Sequence, residues 1–273
     1  MSADPLEGAP AKPGWGAAMN RHAFLFAVAL GLAGVFANAA YAVGAVPAYV
    51  TAAITDPART DDDRKADARR HPAELVAFAQ VKPGDTVIDL IPGSGYFTPI
   101  FSKIVGPKGR VYVVWPNEYA GEAADDVTAT RAMANDPRFR NVSVIIEPAA
   151  ALSVPTQADV MWTSQNYHDY PDKFMGPTDP ALLNTAVFAA LKPGGVYVIV
   201  DHVAEAGSGL RDTDTLHRID PETVKTQVTA AGFVFDGSSD VLRNPKDDHK
   251  LLVFDKKIRG FTDQFAFRFR KPA

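Results

Sequence analysis

From Val81 onward the order of apolar and breaker segments predicts an α/β fold. The expected architecture is a doubly wound sheet of about seven strands, mostly parallel with an antiparallel last strand, preceded by a short helical N-terminal extension. Three observations predict it. Short β-branched runs alternate with helix-length amphipathic segments, the pattern of a parallel sheet with helices on both faces. The first run, VIDLIPGSGYFT (Val87–Thr98), passes from strand through a Pro-Gly turn into a helix, as chains do around nucleotide-like ligands. The C-terminal end offers two strands with no convincing helix between them, which a mixed sheet edge accommodates.

The elements follow in order. Residues 43–60 are apolar and proline-spaced with little periodicity, and read as a linker. Asp61–Gln80 reads as helical, with acids at the positive end of its dipole and Pro72 dividing it before Ala73–Ala79. Asp85–Ile91 is a strand, and Ser94–Val105 a helix with Phe97, Ile100, Phe101 and Ile104 on one face. Arg110–Trp115, Val142–Glu147 and Asp159–Ser164 are strands, with a polar helix over Gly121–Ala134 between the first two. Ala181–Leu191 is a helix closed by the turn Lys192-Pro193-Gly194-Gly195, and Val196–Asp201 the fifth strand. Pro221–Ala231 is a helix capped by Asp220. Gly232–Val241 and Phe261–Arg270 form the final pair.

The chain of 273 residues, 47% hydrophobic and 22% charged, can bury one large core. A net charge of −4 without a basic cluster argues against nucleic acid as a partner. The absence of cysteine excludes disulfides, thiolate metal sites and cysteine nucleophiles. Ahead of the domain, Arg21, the apolar run Ala23–Phe36 and Ala40-Tyr41-Ala42 have the three-part layout of a secretory signal peptide. The organisation expected is therefore residues 1–42 as a signal peptide, with Met19 as the true start. Residues 43–80 are a linker and helical extension, and residues 81–273 the α/β domain. The protein is expected to be exported to the periplasm, with no membrane span after cleavage. The alternative is an inner-membrane anchor over residues 23–43.

DLIPGSG (Asp89–Gly95), the strand opening at Asp159 and LKPGGVYVIVD (Leu191–Asp201) together resemble class I S-adenosylmethionine-dependent methyltransferases, over about Val81–Pro272. Further details resemble a group of exported, predicted methyltransferases of undetermined substrate. These are Asn166–Asp169 (NYHD), Leu216–Asp220 (LHRID) and the ending Thr262–Pro272. The resemblance implies a Rossmann-like domain, S-adenosylmethionine as cofactor and a small-molecule acceptor. It places Asp89 in the first motif, with Pro92, Gly93, Gly95 and Tyr96 in the loop where backbone meets cofactor. A glycine loop permits that approach, and a helix N-terminus favours the cofactor's carboxylate. Two departures stand out. Ile91 occupies the place where the motif often has its first glycine. Trp115 stands where an acid usually meets the ribose hydroxyls, so Glu118 is the expected substitute, Trp115 a candidate for stacking on adenine, and Glu147 the neighbour of the adenine amine.

Ligands of open α/β sheets lie beyond the carboxyl ends of the strands, so the polar run after the fourth strand, Ser164–Tyr170, is expected to line the cleft. Asn166 is assigned to the cofactor. His168 is the natural general base, because its unperturbed pKa of ~6.5 is near working pH. Asp169 would orient it, and Tyr167 or Tyr170 would hold an acceptor. His202, ending the fifth strand, is the second base. In the connection before the last helix, His217 and Arg218 are substrate candidates, with Arg218 either clamping an anion or pairing with Asp212 or Asp214. No ligand spacing supports a metal. Two alternatives remain open. One is an exported ligand-binding protein of this fold; the other is an enzyme using His168, Asp169 and His202 without a methyl donor.

Overall fold

The computed structural model describes residues 45–273; the expected signal segment lies outside the described residues. Seven strands form one sheet: β1 (Thr86–Leu90), β2 (Arg110–Pro116), β3 (Val142–Glu147), β4 (Ala158–Ser164), β5 (Leu191–His202), β6 (Val234–Ser239) and β7 (Gln264–Arg270), in the order β3-β2-β1-β4-β5-β7-β6. β1 through β5 pair in parallel, and β7 runs antiparallel between β5 and β6. The expected fold class is the one observed. Because the chain returns from β3 to pair β4 with the free side of β1, the connections diverge between β1 and β4, where such sheets open a ligand crevice.

The helices are α1 (Ala48–Ile54), α2 (Asp61–Arg70), α3 (Pro72–Ala79), α4 (Thr98–Val105), α5 (Ala124–Asn135), α6 (Pro180–Ala190), α7 (Thr213–Leu216) and α8 (Pro221–Ala230). Among the described residues, no helix is long and apolar enough to cross a membrane. The supposed linker contains α1, whose Val50 and Ala53 are buried; tertiary packing makes a helix where the periodicity is too short to show one. His71, in the left-handed conformation at φ 45°, separates α2 from α3, with Pro72 opening the second helix. α4 begins later than expected, at Thr98, because Gly93 and Gly95 sit at φ 59° and 91° and keep the preceding turn non-helical. The KPGG turn lies within β5: Leu191 already pairs with Ala158, and the register shifts before Val196 pairs with Val160. Asp220 caps α8 as expected, its Oδ1 accepting the Glu222 amide at 3.0 Å.

The N-terminal extension is fastened to the domain at the glycine turn. The Arg59 guanidinium, its side chain fully buried, donates two hydrogen bonds to Asp67 at 2.8 and 2.6 Å and one to the Ile54 carbonyl. The Tyr96 hydroxyl donates to the same carboxylate at 2.5 Å, and Arg70 lies over the Tyr96 ring. The positions of α2 and the loop are therefore set by one buried polar network.

Candidate active site

At the switch point a cavity of about 140 Å³ opens between the end of β1 and the end of β4. Asp89, Ile91, Pro92 and Gly93 form one wall, Ser164, Gln165 and Asn166 the other, and Arg70 overhangs it from α2. Asp89 is 1% exposed, and the Thr98 hydroxyl at the start of α4 donates to its Oδ2 at 2.7 Å. Burial pushes its carboxyl up to about 7, although the Thr98 hydrogen bond acts in the other direction. Ile91 has φ 53°, left-handed backbone that a β-branched residue adopts only under constraint. The residue that departs from the glycine motif therefore takes a glycine-like conformation. Asn166 supplies part of the constraint, its Nδ2 donating to the Ile91 carbonyl at 2.9 Å and the Ser164 carbonyl at 2.7 Å.

A second cavity, of about 270 Å³, shares Arg70, Phe97, Ser164 and Gln165 with the first and extends over the ends of β5 and β7. His202, Thr262 and Gln264 line it, together with Phe254 and Arg259 from the preceding loop. Three arginines and no carboxylate face it. His202 Nδ1 lies 2.8 Å from the Thr262 hydroxyl, fixing the ring. Burial holds this imidazole down at about 4, outweighing the neighbouring Asp201 charge, so it is neutral at ordinary pH.

His168 has a different environment. Its Nδ1 is 2.7 Å from Asp201 Oδ1, and its backbone amide donates to Asp201 Oδ2 at 2.9 Å. Its Nε2 faces Asp169 Oδ1 at 2.9 Å and His217 Nδ1 at 3.2 Å. Burial alone would lower its pKa, but the Asp201 charge and the bonds to both carboxylates raise it to about 10. Its expected role as a free base is corrected: with both ring nitrogens engaged and the proton held by two anions, it cannot accept one from an acceptor near neutral pH. Asp169 does not orient His168 from behind; Asp201 does.

The remaining candidates line neither cavity, and for Trp115, Tyr167, Tyr170 and Arg218 burial corrects the expected role. Trp115 is completely buried, its Nε1 donating to Thr130 of α5 at 3.2 Å, so its ring packs in the core and cannot stack on a ligand in the cleft. Glu118 accepts the Ala149 amide at 3.2 Å, tying the β2 loop to the segment after β3. Tyr96 points to Asp67 and lines neither cavity. Gly95 faces α5, where a Cβ would come within 2.9 Å of Met133 Cε. Tyr167 is a core residue whose hydroxyl accepts from Asn184 and donates to Gln227. Tyr170 is fully buried and does not reach the cleft. Arg218 is a staple, with a fully buried side chain donating to the Leu251 and Val203 carbonyls and to Asp247, rather than the expected Asp212 or Asp214. His217 lies against His168 and Asp169 instead of a cavity. Glu147 is half-buried at the end of β3, paired with Pro116.

Ser164, Gln165 and Asn166 line the cleft as expected, while sequence reasoning missed Arg70, Thr262, Gln264 and Asp201. The last had a readable signal, a carboxylate closing an apolar β-run, the same signal that marked Asp89.

The chain has the fold of class I S-adenosylmethionine-dependent methyltransferases. It superimposes on a putative sarcosine dimethylglycine methyltransferase from Galdieria sulphuraria with a TM-score of 0.55 at 15% identity, covering 84% of this chain and 92% of that one. A SAM-dependent methyltransferase from Aquifex aeolicus gives 0.51 at 18%, covering 77% and 99%. The [4+2]-cyclase SpnF gives 0.54 at 18%, covering 77% and 81%, so proteins named for different reactions share this architecture. In sequence, the chain is 31% identical over 134 residues to the ubiquinone/menaquinone biosynthesis C-methyltransferase UbiE of Hydrogenovibrio crunogenus, covering 49% of this chain. The match spans 47% of that relative, about half of its length. No family model matches the chain.

Proposed function

We propose that the protein is an S-adenosylmethionine-dependent methyltransferase acting on a small molecule with an anionic group. The observation that carries this reading is the pair of adjoining cavities at the switch point, one walled by the Asp89–Gly93 turn and the other by His202. The residues present fit the methionine end of the cofactor. Ile91, Pro92 and Gly93 line the first cavity beside a buried carboxylate that can pair with an amine, and Arg70 overhangs it for a carboxylate. When bound, the cofactor supplies an electrophilic methyl group.

The chain's own residues do the rest. Arg69, Arg70 and Arg259 attract an anionic acceptor into the second cavity, and Phe97 and Phe254 supply apolar contact. His202, neutral and fixed through Nδ1, accepts a proton from the acceptor's hydroxyl or amine as it attacks. Orientation of the two partners in adjoining cavities supplies most of the acceleration. Calorimetric titration with S-adenosylmethionine tests the reading. Micromolar binding, about −8 kcal/mol, weakened by Asp89→Ala, supports it. Absence of binding up to millimolar cofactor in folded protein overturns it and leaves a ligand-binding role for the fold.

Export is part of the same proposal and is supported by the layout of residues 19–42. N-terminal sequencing of protein recovered from cells tests it, with Val43 as the expected first residue and an intact Met19 segment as the contrary result.

A further inference from the structure

Beside the cavities, and separate from them, three side chains converge through one atom each. His168 Nε2 and Asp169 Oδ1 are 2.9 Å apart, His168 Nε2 and His217 Nδ1 3.2 Å, and His217 Nδ1 and Asp169 Oδ1 3.3 Å. We propose that this triangle is a binding site for a divalent transition-metal ion, with zinc as its representative.

The geometry suits such an ion. Bonds of about 2.0–2.2 Å from zinc to two imidazole nitrogens and a carboxylate oxygen place neighbouring donors roughly 3 Å apart, so an ion just off the plane of the triangle reaches all three. The donor set excludes magnesium and calcium, which take oxygen, and matches metals that combine imidazole with carboxylate.

The hydrogen bonds behind the triangle point the same way. Asp201 is 0% exposed and also accepts the His168 and His202 amides, so its contact with His168 Nδ1 requires that nitrogen to donate. In the neutral ring, Nε2 is then a lone pair directed at a carboxylate and a second imidazole nitrogen. His217 Nδ1–H can donate to Asp169, but Nε2 of a neutral His168 still faces that carboxylate as a lone pair, and a cation among the three atoms relieves the contact. A buried carboxylate fixing the tautomer of a ligating histidine is the usual support of such a centre.

The surroundings complete the site. His217 is held at φ 52° where α7 ends, and the rings of Phe254 and Phe174 stand 5.1 and 6.2 Å from its own. Asp169 and His217 retain 14% and 24% side-chain exposure, which gives an ion a path in and leaves room for water on its open side. The site joins the fourth strand's exit to the connection before α8, so an occupying ion would tie His217 to the sheet.

The other possible occupant is a proton on His168 Nε2, and metal uptake separates the two. The full chain without an affinity tag is stripped with a chelator and dialysed against zinc, with magnesium as control. The expected result is one zinc per chain, no magnesium, and a melting temperature that rises with zinc concentration. His217→Ala, a partly exposed change whose folding is checked by circular dichroism, should weaken zinc binding at least 100-fold and abolish the thermal shift. His249→Ala, at a histidine outside the triangle, should leave both unchanged. Less than 0.2 zinc per chain, or equal uptake by His217→Ala, would overturn the proposal and leave a protonated cluster only.

Discussion

Asn166 Nδ2 lies 2.9 Å from the carbonyl oxygen of Ile91, joining the loop after β4 to the turn after β1 across the switch point of the sheet. The bond matters because Ile91 holds left-handed backbone at φ 53°, which costs an L residue roughly 1–2 kcal/mol. The same amide donates to Ser164, so truncation leaves two carbonyls without this donor. Asn166→Ala is expected to destabilise the protein by about 1–3 kcal/mol and to weaken cofactor binding. Asn166→Asp should be worse, since it presents a carboxylate to the same carbonyls. Urea unfolding together with calorimetry checks both, and unchanged values would remove the clamp.

Asp89 sets function against stability. Its folded pKa of about 7 lies above the ordinary ~3.9 of an unfolded aspartate, so the folded state binds the extra proton between those values. Stability from this group is fully present below pH ~4 and is lost as pH rises through about 7. Asp89→Asn should therefore flatten the decline in stability of the ligand-free protein over that window and raise its melting temperature at pH 8. Cofactor affinity should fall at least tenfold in the same variant. A melting temperature whose pH profile is unchanged by the substitution would show that Asp89 does not carry the dependence.

What could be read from the sequence was local. VIDLIPGSG contains the strand, the turn and the buried acid within nine consecutive residues, and the observed cavity wall follows that order. The parallel order of strands was similarly legible from alternation, as was the antiparallel ending. The His168 assignment failed because its chemistry depends on residues far apart in the chain. Asp201 is 33 positions from His168 and His217 is 49, and no spacing announces that one buried acid turns His168 away from base chemistry while His202 remains neutral. Trp115 failed for another reason. A strand residue's face follows from its register, and here that register turns the indole toward Thr130.

His202 is expected to separate binding from turnover. It lines the larger cavity but not the smaller one, and Thr262 fixes its ring. In a label-transfer assay from methyl-labelled cofactor into a small-molecule extract, His202→Gln should lower transfer by about 10²–10⁴-fold, the usual worth of a general base. Cofactor affinity should change by less than about twofold, well under 1 kcal/mol. Equal loss of both would identify His202 as a structural residue.

Asp67 tests whether the N-terminal extension belongs to the site. It is the shared acceptor for Arg59 and Tyr96, and the Arg59 side chain is fully buried. Removing one partner of a buried ion pair leaves an uncompensated charge, so Asp67→Ala should cost about 3–5 kcal/mol. Arg59→Met with Asp67→Leu removes both charges and should recover much of that loss, because the desolvation penalty disappears with them. Tyr96 sits within the glycine turn, and in both variants it loses the carboxylate that holds its hydroxyl. Cofactor affinity should therefore stay low in the double variant even where stability returns. If binding recovers together with stability, the extension acts on the fold alone and the network has no part in shaping the turn.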